Sequence, residues 1–223
     1  MDNKTYDLRF QHPFTMQVTG GTGAGKTEAV KKIILNRTEM IHPVPELVTF
    51  AYGEYQSAYD NIPDVNFVRG LDESMVSRET LNNKSLLLII DDLSDEADPK
   101  LLSALFTKIS HHRSISIIFL LNSIFYKGLG GAMRLISINT QYHLLMKTFR
   151  DTSSIATLAR QMFGPHQYKY MLDAYLDATK QNFGYLLVDL KPNSPDEIRL
   201  RTHIFPGENT ICYVIKQNGQ IRK

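Results

Sequence analysis

The chain has 223 residues, enough to bury a full hydrophobic core, and it is most simply a single α/β domain spanning residues 1–223. Its formal net charge of +2 gives no bulk attraction to nucleic acid, so any DNA contact must come from a local basic patch or from several subunits around one channel. The one cysteine, Cys212, excludes an intrachain disulfide framework and suits a reducing compartment.

The first predicted elements are a short strand over residues 15–19 and a helix that follows it closely. The helix is indicated by apolar residues at helical spacing, namely Ala29, Val30, Ile33 and Ile34. Between strand and helix the chain reads Gly20, Gly21, Thr22, Gly23, Ala24, Gly25, Lys26 and Thr27, which fits G-x-x-x-x-G-K-[ST] at every fixed position. Strand, glycine-rich loop and helix in this order predict a phosphate-binding P-loop.

The residues of this predicted P-loop have distinct expected roles. The glycines allow successive backbone N–H groups to surround a phosphate chain, and the following helix adds the positive end of its dipole. Lys26 is expected to reach the β- and γ-phosphates, and Thr27 to offer its hydroxyl to Mg²⁺. We therefore expect a nucleoside triphosphate and Mg²⁺ to bind here.

Strand and helix patterns alternate through the rest of the chain, which predicts a mainly parallel sheet flanked by helices. The predicted strands lie at 46–52, 65–69, 86–90, 115–121 and 141–147, and the predicted helices at 99–110, 152–163 and 166–179. Residues 185–190 and 198–204 flank a turn and predict a C-terminal β-hairpin. We expect an α/β core over about 13–148, followed by the C-terminal helices and hairpin over about 149–208.

Two acids follow the buried strand predicted at 86–90. Five apolar residues ending in Asp91 and Asp92 form the Walker B pattern. Asp91 is expected to organise the Mg²⁺ shell, and Asp92 to orient or deprotonate the attacking water. Glu96, one turn further on, is the competing water activator, and two acids that merely cap a strand at a solvated turn are the structural alternative.

A polar amide, Asn122, ends the apolar run 117–121. There it would sit beside the P-loop, where it could contact the γ-phosphate or the attacking water, as the sensor residue does in P-loop ATPases with an extra central strand. The alternative is a strand-end amide that only satisfies backbone groups.

Basic residues supply two further candidate sites. Arg113, Arg134 and Arg150 are candidates for charge stabilisation in a neighbouring subunit, and Arg113 precedes the strand at 115–121 on the edge away from its own nucleotide. The glycine-rich segment 126–134 is predicted to be a flexible loop in which Lys127 and Arg134 follow a DNA backbone. A solvated surface loop is the alternative.

Several short blocks accompany the P-loop along the chain. They are His12-Pro13-Phe14, Ile90-Asp91-Asp92, His111 to Ser116, Phe149-Arg150-Asp151, Leu158-Ala159-Arg160-Gln161, Ala178-Thr179, Phe183 to Leu190 and Arg199 to Pro206. Together, over roughly residues 10–208, they resemble the DNA-packaging ATPases of the FtsK–HerA superfamily, specifically those of Maverick/Polinton elements, adintoviruses and the poxvirus lineage.

The resemblance implies a RecA-like core, a ring homo-oligomer such as a hexamer or pentamer, and ATP-driven movement of double-stranded DNA into a preformed capsid. It gives Lys26, Thr27, Asp91 and Asp92 the Walker roles with ATP and Mg²⁺, and makes Arg113 the foremost candidate for an arginine finger. Capsid or portal-vertex proteins are the implied partners. The relatives usually carry glutamine where this chain has Asn122, whose side chain is one methylene shorter, so its phosphate or water contact could be lost or bridged by solvent.

Other functions use some of the same residues. A HerA-like translocase in DNA repair or segregation is the nearest alternative, followed by a P-loop nucleoside kinase, for which no acceptor pocket or arginine-bearing lid is identified. A GTPase would need an N/T-K-x-D motif, which is absent from the sequence. Neither a signal peptide nor a membrane span is expected, since the apolar runs are only strand-sized. We expect an intracellular protein in the host nucleus or cytoplasm at the site of virion assembly, with association with the virion itself as an option.

Overall fold

The computed structural model describes residues 5–60, 62–215 and 221–222. Its strands are β1 Phe10–Gln11, β2 Thr15–Thr19, β3 Ile41–His42, β4 Leu47–Tyr52, β5 Asn66–Arg69, β6 Leu86–Asp91, β7 Ile115–Leu121, β8 Tyr142–Met146, β9 Tyr185–Asp189, β10 Leu200–Thr202, β11 Ile211–Ile215 and β12 Ile221–Arg222. Its α-helices are α1 Lys26–Leu35, α2 Arg37–Met40, α3 Arg78–Leu81, α4 Pro99–Ala104, α5 Ser110–His112, α6 Gly131–Ile138 and α7 Thr152–Ala178.

Ten of the strands in the described part of the chain form one sheet, in the order β12-β11-β10-β9-β8-β2-β7-β6-β4-β5. The strands from β8 to β5 pair in parallel, and those from β8 to β12 pair antiparallel. This confirms the predicted α/β fold with a mainly parallel sheet. Because β7 lies between β2 and β6, the carboxyl ends of these three strands meet at one edge of the sheet.

The three central strands are buried on both faces. All residues of β2, β6 and β7 are buried, which is why β6 and β7 read as nearly continuous apolar runs. One face packs against α1 through Ala29, Val30, Ile33 and Ile34, at the helical spacing predicted for them. The central strands are thus a fixed support for the loops at their carboxyl ends.

The helix after β6 starts as predicted but is less regular than predicted. The Asp98 side chain accepts a hydrogen bond from the backbone N–H of Lys100 at 2.9 Å, and Pro99 occupies the first helical position. A π-helical segment, Leu105–Ile109, then connects α4 to α5. Local propensity gave no sign of this wider turn, because it depends on how Leu105 and Phe106 fit the core.

The C-terminal part follows its predicted order, including the predicted break between the two helices, with one correction. The two predicted helices form the α7 span, which is broken at Gly164, where φ is 72°, just before Pro165. The hairpin of β9 and β10 is present, but its second strand begins at Leu200 because Asp196–Ile198 forms a 3₁₀ turn.

The sheet also extends beyond the predicted hairpin. Strand β11 pairs with β10, and β12 pairs with β11, both antiparallel. Strand β9 pairs with β8 on its other side, so the sheet continues across the boundary that we place near residue 148. The single-domain assignment stays a prediction. No helix among the described residues is long and apolar enough to cross a bilayer.

Candidate nucleotide-binding site

The P-loop (residues 20–27) runs from the end of β2 into α1, which begins at Lys26. Gly25, the residue before the helix, has a φ of 94°, a backbone conformation that residues with a Cβ atom rarely adopt. No side chain in the described structure caps α1. The first N–H groups of this helix are therefore left for an anion, as in other phosphate-binding helix N-termini.

The Lys26 side chain lies along the inside of the P-loop. Its Nζ atom donates hydrogen bonds to the backbone oxygens of Gly20 at 2.8 Å and Gly21 at 3.3 Å. It also donates to Oδ1 of Asn122 at 3.0 Å. The Asn122 side chain at the end of β7 thus reaches the lysine that is expected to bind phosphate. A contact between Asn122 and a phosphate or water stays a prediction.

Asp91 lies at the end of β6 and is held by two hydroxyl groups. Thr27 Oγ1 donates to Asp91 Oδ2 at 3.4 Å, and Tyr59 OH donates to the same oxygen at 3.0 Å. Asp91 is 6% exposed and Tyr59 is 1% exposed. Adjacent carboxylate and hydroxyl oxygens suit Mg²⁺, which in such sites takes one or two protein ligands and completes its shell with phosphate oxygens and water.

The two candidate water activators occupy different positions. Asp92 is exposed, adopts a φ of 56° and lines the same cavity as Lys26. Glu96 is also exposed, but among the described residues it is not part of the cavity wall. The geometry favours Asp92 over Glu96, and the catalytic assignment itself stays a prediction.

A cavity of about 460 Å³ joins these groups. Its wall contains Thr22, Gly23, Gly25, Lys26, Thr27, Glu28, Gln56, Asp91, Asp92, Ser94, Leu120, Leu121, Asn122 and Phe183. Burial lowers the pKa of Lys26, an effect opposed by Asp91 and Asp92. Burial likewise raises the pKa of Asp91, opposed by the hydrogen bond from Tyr59 and by the charge of Lys26. A bound polyanion would therefore favour the charged form of Lys26, and a bound cation would favour the charged form of Asp91.

The three arginine candidates lie in different surroundings. Arg113 precedes β7 and is half-buried, and its Nη1 donates to the backbone oxygen of Val76 at 2.7 Å. Asn122 follows the other end of this seven-residue strand, roughly 20 Å away, so Arg113 does not reach the cavity of its own chain. Arg150 is exposed and lines a second cavity beside the P-loop, and Arg134 is exposed on α6. That one of them acts on a neighbouring subunit stays a prediction.

The segment predicted as a flexible DNA-binding loop is mostly helical. Lys127–Leu129 forms a 3₁₀ turn, and α6 begins at Gly131, so Arg134 lies on a helix. The helix forms because Leu129, Met133 and Ile136 are buried in the core at helical spacing. Lys127 and Arg134 are both exposed, but Arg134 is presented by a regular element and not by a mobile loop.

Two residues at the site were not predicted from the sequence to be site residues. Tyr59 lies 32 residues before Asp91 in a stretch without strand or helix periodicity. Phe183 follows α7, more than 150 residues after the P-loop in the sequence, and lines the same cavity. Neither belongs to a motif of nucleotide chemistry, so only the folded chain brings them to the cavity.

No protein-family model and no curated protein sequence matches the chain. Among solved structures, the cytoplasmic domain of EssC matches 90% of this chain and 39% of its own with 15% identity and a TM-score of 0.50. This chain therefore spans about two fifths of that protein. At this identity the likeness shows the fold alone, a mixed α/β P-loop NTPase fold with a large, mostly parallel sheet.

Two further structures are more distant. The N-terminal domain of zonular occludens toxin from Neisseria meningitidis covers 93% of this chain and 96% of its own, with 11% identity and a TM-score of 0.42. The P4 protein from bacteriophage phi6, in complex with ADP, covers 60% of this chain and 50% of its own, with 18% identity and a TM-score of 0.35. We base the fold assignment on the sheet topology and on the EssC domain.

Proposed function

We propose that this chain is an ATPase of a ring motor that moves double-stranded DNA into a viral or virus-like capsid. The observation that carries the proposal is the convergence of Lys26, Thr27, Asp91, Asp92 and Asn122 on one cavity at the carboxyl ends of neighbouring strands. A phosphate-binding loop, an oxygen pair for Mg²⁺ and a second carboxylate are the groups that hydrolysis of a nucleoside triphosphate requires.

The residues divide the chemistry among them. The P-loop N–H groups and Lys26 would bind the β- and γ-phosphates, and Thr27 and Asp91 would hold Mg²⁺. The Mg²⁺ held by Thr27 and Asp91 would supply positive charge to offset the negative charge that develops on the phosphates. Asp92 would orient the attacking water and accept its proton. Asn122, which already contacts Lys26, would respond to the presence of the γ-phosphate.

Contacts near the cavity support coupling to a DNA-binding surface. The segment after Asn122 leads within five residues to Lys127, and the Tyr126 hydroxyl donates a hydrogen bond to Asp95 in the turn after the Walker acids. A change in the position of Asp92 or Asn122 would therefore shift the segment that carries Lys127. We propose that Lys127 and Arg134 contact the phosphate backbone of double-stranded DNA.

The assembly and location are further parts of the proposal. A ring of five or six copies would place a guanidinium from one chain, with Arg113 as the foremost candidate, at the phosphates of the next. Capsid or portal-vertex proteins would anchor the ring in the host nucleus or cytoplasm, where virions form. Light scattering with and without ATP and DNA tests the ring directly.

The direct test of the proposed function is ATP hydrolysis measured without any phosphate acceptor, with and without double-stranded DNA. Acceptor-independent hydrolysis that DNA stimulates is the expected result. A requirement for a nucleoside acceptor would support the kinase alternative. A HerA-like translocase would pass this test as well, so capsid genes or a nuclease gene beside this one would distinguish packaging from repair.

The DNA contact is tested in a double variant in which glutamine replaces both Lys127 and Arg134. Each lost phosphate contact should flatten the salt dependence of DNA binding by about one unit of slope per charge in each subunit. The matched control replaces Arg78 and Lys84, two exposed basic residues near the opposite edge of the sheet, and should leave the slope unchanged. An unchanged slope after loss of Lys127 and Arg134 would make them ordinary surface charges.

The assignment of the water activator is tested by comparing Asp92→Asn with Glu96→Gln. Asp92→Asn keeps the size of the side chain but removes the proton acceptor, so hydrolysis should slow by about a hundredfold or more while ATP binding persists. Glu96→Gln should hydrolyse ATP normally. Single-turnover hydrolysis and equilibrium binding separate the two effects. The opposite result, with only Glu96→Gln inactive, would reverse the two roles.

The hydroxyl of Tyr59 is predicted to position Asp91 for Mg²⁺. Burial raises the pKa of Tyr59, so its hydroxyl remains a donor to Asp91 at physiological pH. Tyr59→Phe keeps the buried ring and should weaken Mg²⁺-dependent ATP binding by roughly tenfold or more, as loss of a group behind a metal ligand typically does. Tyr55→Phe is the control, because the Tyr55 hydroxyl binds Asp60 and not a Walker residue. Equal Mg²⁺ dependence in both variants would contradict this role.

A further inference from the structure

Phe183 has a backbone conformation and an exposure that packing does not explain. Its φ is 60°, in the left-handed region where a bulky residue is an outlier. Its surface is 66% exposed, although the residue is large and apolar. Strained conformations of this kind concentrate at ligand-binding sites, where a side chain must be held in one direction.

The ring of Phe183 lies against the turn that opens α1. A Cβ atom built on Gly25 would stand 3.0 Å from Cδ1 of the ring, so the ring rests on the backbone of that glycine. Phe183 lines the cavity of about 460 Å³ that holds Lys26 and Asp91. It also lines a second cavity of about 700 Å³ on the outer side of the P-loop. The ring therefore borders both cavities beside the P-loop.

The segment that carries the ring is well supported. A Cβ atom at Gly184 would stand 2.5 Å from the backbone oxygen of Ala178, so this position accepts only glycine without a shift of the backbone. Gly184 N–H donates to Gln181 at 3.2 Å, and Lys147 N–H donates to the Gly184 oxygen at 3.1 Å. The loop is thus closed by its own hydrogen bond, packs closely against the end of α7 and is hydrogen-bonded to the residue after β8.

We propose that the Phe183 ring is the stacking platform for the base of the bound nucleoside triphosphate. The inference rests on the proposed nucleotide-binding function and extends it to the nucleoside end of the ligand. An exposed ring beside a phosphate site offers a flat apolar surface. Stacking on such a surface depends little on which base is bound, because every base has a π-face. The ring therefore contributes affinity for ATP and GTP alike.

The test measures binding of ATP and of inorganic tripolyphosphate, each with Mg²⁺, to the full chain. Phe183→Asn removes the ring but keeps a residue that tolerates positive φ, and Phe183→Tyr keeps the ring. Phe183→Asn should weaken ATP binding between about fivefold and a hundredfold and leave tripolyphosphate binding unchanged. Phe183→Tyr should bind both ligands normally. So should Phe149→Asn, which changes an exposed phenylalanine that lines only the outer cavity.

A direct readout is available because the chain contains no tryptophan. Phe183→Trp introduces a single fluorophore, whose emission should change on stacking with ATP or GTP but not on addition of tripolyphosphate. Emission that responds equally to tripolyphosphate would overturn the stacking platform.

Three other outcomes would also overturn the proposal, and they differ from failure of the proposed function. Native ATP affinity in Phe183→Asn would show that no base stacks there. An equal loss of tripolyphosphate affinity would show that the ring only shapes the P-loop, and an equal effect of Phe149→Asn would show that the site is not specific to Phe183. Failure of the native chain to bind either ligand would instead contradict the P-loop function on which the platform rests.

Discussion

Lys26→Ala is expected to lose about a hundredfold or more of its ATP affinity, or about 3 kcal/mol. The lysine would be the main positive charge on the β- and γ-phosphates, and its Nζ atom lies inside the P-loop within 3.3 Å of three oxygen atoms, those of Gly20, Gly21 and Asn122. Calorimetric titration with ATP and Mg²⁺ measures the loss. The control is Lys31→Ala, which removes the same charge from the same helix. The Nζ atom of Lys31 donates to the backbone oxygen of Asp60 and not to the P-loop. Near-native ATP affinity in Lys26→Ala would contradict the P-loop assignment.

Arg113→Ala is expected to bind ATP with nearly native affinity and to hydrolyse it about a thousandfold more slowly. Hydrolysis concentrates negative charge on the γ-phosphoryl oxygens, and a guanidinium from the next subunit would stabilise it. Within its own chain Arg113 lies at the opposite end of β7 from Asn122 and bonds to Val76. Because loss of the Val76 contact could also lower stability, the melting temperature of the variant must be compared with that of the native chain.

Mixed rings distinguish action in trans from a structural role. A ring that contains both Arg113→Ala and Lys26→Ala has interfaces at which an intact P-loop meets an intact Arg113, so activity should return at those interfaces. No recovery in rings shown to be mixed would mean that Arg113 acts within its own chain or is only structural. Loss and rescue with Arg150→Ala in its place would assign the finger to Arg150, which lines the cavity beside its own P-loop.

The sequence predicted the parts of the site that depend on short, fixed spacings. The P-loop and the Walker acids each follow a buried strand directly, so β2 and β6 place them once the parallel sheet forms. Asn122 follows β7 for the same reason, and the strand order brings all three strand ends together. Local pattern and fold therefore agree at these positions.

The remaining features depend on contacts that are distant in sequence. Tyr59 meets Asp91 only because the chain after β4 folds back over the sheet, and Phe183 meets Gly25 from the far end of α7. The error at α6 has a different cause. We interpreted Gly128, Gly130 and Gly131 as a loop, although burial at helical spacing extends the helix to Gly131.

The end of the sheet was underestimated for a related reason. The run Ile211–Ile215 is rich in β-branched residues and alone is compatible with a strand, yet we placed no element after residue 208. Its pairing with β10 depends on the hairpin that precedes it, and the register aligns Arg201 with Cys212. The local sequence could therefore have predicted strand β11, but it could not have predicted that β11 pairs with β10.

The most direct test of the central claim is displacement of a third strand from a DNA triplex by the native chain in the presence of ATP. A motor that moves along double-stranded DNA should remove the third strand at a rate that depends on ATP, and the Lys26→Ala and Asp92→Asn variants should not. ATP hydrolysis at full rate without displacement, in rings bound to the same DNA, would contradict the account.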